Sequence, residues 1–255
     1  MPNILKVLAA RFPKRWQQTL KRFHFGRQIR RGRLRSSEPE YDLLAELVFA
    51  GDWVVDVGAN VGHYSIRLSG LVGGQGRVVA FEPVPETLEL LASNIAMLPA
   101  QNVTLINAAA SDRVGLASMT IPEADTGLDN NYLAHLSAAG SGLQVLCLTI
   151  DALDLPHAVR LVKIDAEGHE LAVLKGMRGI LRRDSPVLIV EDNSNDVPEF
   201  LKEFGYTAEK LPGSSNLLFR TVGAGCAAAE GHGAKGVIAL EGVAEPNPVP
   251  DRGGS

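Results

Sequence analysis

Cysteine is scarce. Cys147 and Cys226 are the only two in 255 residues. They lie far apart and show no metal-ligand spacing, which excludes a disulfide framework and a cysteine-based zinc site. Such usage makes a reducing, cytoplasmic compartment the expectation. Long apolar runs are missing as well, so no stretch reaches the length of a bilayer span. The N-terminal "ILKVLAA" is too short for a secretory core and carries Lys6; an Arg-rich, acid-free start leaves a transit peptide open. Acids are absent from residues 1–35, which hold 11 Lys and Arg, whereas residues 36–255 hold 14 basic and 29 acidic residues. A basic arm precedes an acidic body, and an acidic body speaks against a long polyanion track, so nucleic acid is not the expected partner.

The arm places Leu5, Leu8, Phe12, Trp16, Leu20 and Phe23 at helical spacing, and Pro13 interrupts any single long helix. Such a segment either meets a membrane surface or polyanion, or packs on the domain with its charges solvated. From Glu38 onward, helix and strand patterns alternate. "EPEYDLLAELV", "HYSIRLSGLVG", "PETLELLASNIAML", "ELAVLKGMRGILRRD" and "VPEFLKEFGY" read as helices. "DWVVDVG", "RVVAFEP", "VTLINAAASD", "LASMTI", "LQVLCLTIDAL", "VRLVKID", "PVLIVED" and "SNLLFR" read as strands. This alternation predicts an α/β domain with a parallel sheet and right-handed crossovers. From about Thr221 the chain is too poor in large apolar side chains to bury itself, and residues 221–255 read as a disordered tail.

"VVDVGANVGHYS" is a strand, a turn and a helix start. Ligands of open parallel sheets bind beyond the strands' carboxyl ends, and Gly58 and Gly62 permit a tight turn and close backbone approach. The three-glycine cradle for a dinucleotide pyrophosphate is absent, which excludes the rival of an NAD-dependent sugar oxidoreductase. A carboxylate at the strand end, Asp56, suits a cationic, amino-bearing ligand without phosphate, and S-adenosylmethionine fits. Glu82 ends the next strand 26 residues later, where an acid accepts ribose hydroxyls. The small residues of "NAAASD" leave room for adenine, with Ser111 or Asp112 placed to meet its amine. The plain alternative is a strand-to-helix turn with solvated strand-end acids.

"LVKIDAEGHELAVLKG" gathers Asp165, Glu167, His169 and Glu170 where a strand becomes a helix. Acids at a helix start favour its dipole and cap free N–H groups, which accounts for Glu170. Together with "VVDVGANVGHYS", "VVAFEPVPETLELLASNI" and "NAAASD", this stretch resembles the FkbM-type S-adenosylmethionine-dependent methyltransferases over roughly residues 50–220. Asn60 stands where the broader D-x-G-x-G-x-G pattern has glycine, as the FkbM branch commonly does. The resemblance implies a Rossmann-like class I fold over residues 36–220: a mostly parallel seven-stranded sheet, helices on both faces and an antiparallel last strand. It implies O-methylation, often of a sugar or polyketide-type hydroxyl. Asp56, Gly58, Asn60 and Gly62 would line the methionine end of the cofactor, Glu82 would hold the ribose, and Asp165 would stand near the transfer site.

Methyl transfer to oxygen needs alignment and a base for the hydroxyl proton. His169 is the expected base, with Asp165, Glu167 and His63 as competitors. Glu191 and Asp192 end the fifth cofactor-side strand and could bind acceptor hydroxyls. Converging carboxylates could also hold Mg2+, although no metal site is indicated. The expected acceptor is a carbohydrate, glycolipid or secondary metabolite, enclosed by the helix before Asp56 and by "EADTGLDNNYLAHLSAAGSG". The rivals are a nucleic-acid methyltransferase using the basic arm and a catalytically silent interaction module.

Overall fold

The computed structural model describes residues 12–122, 134–137, 142–191 and 195–221. Helix α1 (Lys14–Arg30) begins directly after Pro13, where a proline is tolerated because the first helical N–H groups have no partner to lose. Then follow α2 (Glu40–Leu47), β1 (Trp53–Val57), α3 (His63–Val72), β2 (Arg77–Phe81), α4 (Pro85–Ile95) and β3 (Val103–Ile106). The middle of the chain supplies β4 (Ala109–Ala110), β5 (Gly115–Thr120), β6 (His135–Ser137) and β7 (Leu143–Leu148). The last part supplies β8 (Val159–Ile164), α5 (Glu170–Lys175), α6 (Arg178–Asp184), β9 (Val187–Glu191), α7 (Asp196–Lys202), β10 (Tyr206–Lys210) and β11 (Asn216–Thr221).

Seven strands form the central sheet in the order β10-β11-β9-β8-β1-β2-β3. Strands β9, β8, β1, β2 and β3 run parallel, and β11 is antiparallel to both β9 and β10. The order changes direction on either side of β1, which makes the carboxyl ends of β1 and β8 the crevice of the sheet.

Side chains alternate faces along each strand. Val55, Val57, Val162, Ile164, Leu188 and Val190 point to one face, packed with Leu174, Met177 and Leu181 of the α5–α6 region. Val54, Leu161 and Ile189 point to the other, against Leu44 and Leu47 of α2 and Leu68 and Val72 of α3. Asp56 and Lys163 share the second face and are register partners. The apolar layer on the α2–α3 side therefore gives way to two neighbouring charges at the strand ends.

Several elements, β6 (His135–Ser137) among them, differ from the sequence-based expectation. "VTLINAAASD" is two strands in two sheets: β3 closes the central sheet, while β4 pairs with β7 in a separate sheet ordered β4-β7-β5-β6. The break falls at Asn107, whose amide donates to the Glu82 and Pro83 carbonyls. "ELAVLKGMRGILRRD" is two helices, because the chain passes so close to Ser111 that a Cβ at Gly176 would overlap the Ser111 carbonyl. β10 was not anticipated: only Tyr206 of its five residues is buried, so this edge strand carries no apolar alternation. Among the described residues no helix is long and apolar enough to cross a membrane. Residues 222–255, and with them Cys226 and the anticipated tail, lie outside the described residues, as do residues 1–11 of the arm.

Candidate active site

A cavity of about 450 Å³ opens at the carboxyl ends of the parallel strands. Its floor is the β1–α3 turn. Gly58 has φ +75°, and a Cβ there would overlap the carbonyl oxygen of Asp165, so only glycine allows this turn to cross the end of β8. Asn60 follows in the left-handed region at φ 49°, a conformation asparagine tolerates better than most side chains. Its N–H donates to Glu82 Oε2 at 2.9 Å, and the Val84 N–H donates to Glu82 Oε1 at 2.9 Å. Glu82 is thus clamped at the end of β2 with a carboxylate edge on the cavity. Burial pushes its carboxyl up to about 7, against the pull of those two N–H groups. Gly62, at φ 98°, starts α3; the Leu91 side chain occupies the space its Cβ would need. Gly62 serves helix packing and is not in the cavity wall, whereas Gly58, Asn60 and Glu82 are.

Asp56 is fully buried beneath this floor. Its Oδ2 accepts a 2.6 Å hydrogen bond from Ser65 of α3, and its Oδ1 has no partner. Burial raises its pKa, which the Lys163 ammonium opposes. Lys163 was not anticipated as a site residue. A lysine inside the apolar run "LVKI" was the available signal, since lysine is rarely buried without a partner. Its Nζ lies 2.6 Å from Asp165 Oδ2 and 4.8 Å from the centre of the Tyr64 ring. Burial alone would push Asp165 up, but Lys163 and hydrogen bonds from Lys163 and Glu191 hold it below its ordinary value. Glu191 responds oppositely: burial, and then the hydrogen bond and charge of Asp165, push it up to about 7. The two carboxyls are thus pushed in opposite directions, Asp165 toward the ionised form and Glu191 toward the protonated one.

Glu167 sits at φ 49° in the turn after β8. It is exposed at the cavity rim, its pKa raised by partial burial and by the charges of Asp165 and Glu170. Glu170 has the structural role expected of it, because its Oε1 accepts the N–H groups of Ala166 and Gly168 at 3.1 and 3.0 Å. His169 lines the cavity, but its Nε2 lies 2.9 Å from Ser111 Oγ, which also contacts Asp112 at 3.3 Å. Burial pushes the His169 pKa below its ordinary value, against the charges of Asp112 and Glu170. Ser111 and Asp112 lie behind the wall, and Ala108, Ala109 and Ala110 form it. His63 also faces the cavity, its pKa lowered by burial and by Lys163. Asp192 lies outside the described residues, as does most of "EADTGLDNNYLAHLSAAGSG"; its Ala134 and Leu136 contribute to the wall.

Residues 56–215 match the methyltransferase FkbM domain. This chain belongs to the FkbM methyltransferase family. It is 30% identical over 185 residues to the hexuronic acid methyltransferase AglP of Haloferax volcanii, a match covering 69% of this chain and 72% of AglP. The crystal structure of an FkbM methyltransferase from Methylobacillus flagellatus KT superposes with a TM-score of 0.50 at 20% identity. That match covers 68% of this chain but 44% of the solved one, so this methyltransferase spans less than half of that neighbour. The seven-stranded sheet is accordingly the Rossmann-like class I methyltransferase fold.

The residues of this FkbM methyltransferase fit a sulfonium nucleoside. The turn brings backbone close to the cavity without a pyrophosphate cradle, Glu82 offers a clamped carboxylate for ribose, and three alanines leave a smooth apolar wall. A cavity of this volume is in the ordinary range for small-molecule sites.

Proposed function

We propose that this methyltransferase uses S-adenosylmethionine to methylate a hydroxyl of a carbohydrate-type acceptor in the cytoplasm. The arrangement that carries this reading is the Asp165–Glu191 carboxyl pair, anchored by buried Lys163 and facing the same cavity as Glu82. When bound, the donor supplies an electrophilic methyl group. Glu82 would hold the ribose, the Gly58–Asn60 turn would border the methionine end, and Ala108–Ala110 would face the adenine. Asp165, kept ionised by Lys163, cannot take a proton easily. Glu191, pushed up to about 7, would accept the hydroxyl proton as the acceptor oxygen bonds to the methyl carbon, whose bond to sulfur breaks and releases S-adenosylhomocysteine. His169, already tied to Ser111, shapes the wall between these groups. The similarity to a hexuronic acid methyltransferase supports a sugar acceptor, and Glu38, Glu167 and Asn216 around the cavity are suited to hydroxyl groups.

Incubation with labelled methyl donor and a panel of sugars, uronic acids, glycolipids and RNA tests this reading. Label on a sugar hydroxyl is the expected result; donor binding without transfer, or label confined to RNA, overturns it. Glu82→Gln turns one clamped oxygen into an amide that faces N–H donors. Calorimetry should show donor affinity weakened roughly 10- to 100-fold, the loss of one to two charge-assisted hydrogen bonds.

Asp165, Glu167 and Glu191 each bring an oxygen within 4.8 Å of the others, the set that Mg2+ would use. Lys163 already supplies a positive charge against Asp165. Methyl transfer is therefore expected to survive EDTA unchanged. A loss restored by Mg2+ would reassign the three carboxylates to metal binding.

A further inference from the structure

The N-terminal helix carries a surface that methyl transfer does not use. Phe12 and three residues of α1, Trp16, Leu20 and Phe23, are 52%, 55%, 50% and 66% exposed. The spacing of Trp16, Leu20 and Phe23 keeps these three within an arc of about 60°. The other side of α1 packs on the domain. Gly26 is buried against Met97, Phe25 and Ile29 are half-buried, and Arg22 pairs with Glu89 of α4 at 3.0 Å. The exposed face is therefore a second apolar face on a helix whose first face is already satisfied. Around it the chain is basic without exception: residues 12–35 contain nine Lys and Arg and no acid. Arg27 and Arg30 continue the stripe at the C-terminal end of α1.

We propose that α1 docks this face on an anionic lipid bilayer surface. Aromatic and aliphatic side chains enter the headgroup–acyl boundary while flanking guanidinium and ammonium groups meet lipid phosphates. A second copy of the chain would bring two strongly positive arms together. A nucleic acid would engage the charges but leave Phe12, Leu20 and Phe23 in water. The lipid surface satisfies both halves of the pattern. The inference stands independently of the acceptor, yet it bears on it. Arg35, Ser36, Ser37 and Glu38 line the cavity, and the step from Arg30 to Arg35 spans no more than about 18 Å of chain. A docked α1 holds the cavity rim close to the headgroups.

Full-length protein is sedimented with vesicles of phosphatidylcholine alone and of phosphatidylcholine mixed with phosphatidylglycerol, and the Trp16 emission is recorded. The expected result is binding to the anionic vesicles only, weakened by salt, with a blue shift that Trp16→Phe removes. The double variant Trp16→Ser/Phe23→Ser alters exposed side chains remote from the cavity. It should partition roughly a hundredfold more weakly, while circular dichroism and donor calorimetry stay unchanged. Five results overturn the proposal. The wild type ignores anionic vesicles, or binds neutral ones equally. The double variant binds like the wild type. Light scattering shows a dimer that the variant abolishes, with no vesicle binding. RNA, rather than lipid, is retained in a manner sensitive to the same two substitutions.

Discussion

Glu191→Gln is expected to lower kcat by roughly 10²- to 10⁴-fold, the contribution of a positioned general base, and to leave donor affinity unchanged. Glutamine copies the protonated carboxyl: it can still donate to Asp165, so the pair with Lys163 keeps its geometry. What it cannot do is accept a proton. The pH profile gives a second readout. Glu191 in the fold titrates at about 7, above its ordinary value. Its base form is scarce below that pH and full above it, so the wild-type rate should climb through about 7 and level off. The variant should lack that limb. Linkage gives the matching sign for stability: a raised carboxyl pKa stabilises the fold at low pH, and the contribution fades as pH rises through about 7. A Glu191→Gln enzyme that retains full rate would return the base role to His169, and His169→Ala would then become the decisive variant.

Gly58→Ala should be the most damaging small substitution in the domain. The left-handed φ and the overlap with the Asp165 carbonyl act together. A loss of about 3 kcal/mol or more follows from strain plus forced separation of two backbones. That corresponds to a drop in Tm of roughly 6–12 °C for a domain of this size. Donor binding should vanish as well, because the turn carries Asn60, whose N–H positions Glu82. Gly73→Ala is the control. Its φ is +64° with ψ −173°, a region nearly confined to glycine, but open space surrounds it, so a conformational cost of about 1–3 kcal/mol applies without any overlap. Equal losses in the two variants would show that close approach contributes nothing at Gly58.

The parallel core was legible because β1, β2, β8 and β9 are short apolar runs bounded by turn residues, a pattern that buried strands impose on sequence. The strand-end acids Asp56, Glu82, Asp165 and Glu191 could be placed at one edge for the same reason. What sequence does not reveal is which of them is held ionised and which is pushed toward protonation, since that depends on register across strands. Lys163 was passed over inside a run that otherwise marks a strand, and its pairing with Asp165 decides which carboxyl stays ionised. Gly62 and Ser111 show what motif position leaves open. Both occupy motif positions, but the first makes room for Leu91 and the second holds His169 from behind the cavity wall. Motif position records closeness along the chain, and a wall is built from whichever atoms face inward. Strand β10 escaped notice because an edge strand with four exposed residues leaves no alternating signal.

Glu40 gives the domain an order of assembly. This fully buried carboxylate near the start of the fold is satisfied by Tyr64 and by Ser214 and Asn216, which lie 174 and 176 residues downstream. On a nascent chain those last two donors do not exist until nearly the whole sheet has been made. A chain truncated before Ser214 would leave Glu40 with Tyr64 alone, and the cavity-lining residues 35–38 just ahead of α2 would lose their tie to β11, the last strand among the described residues.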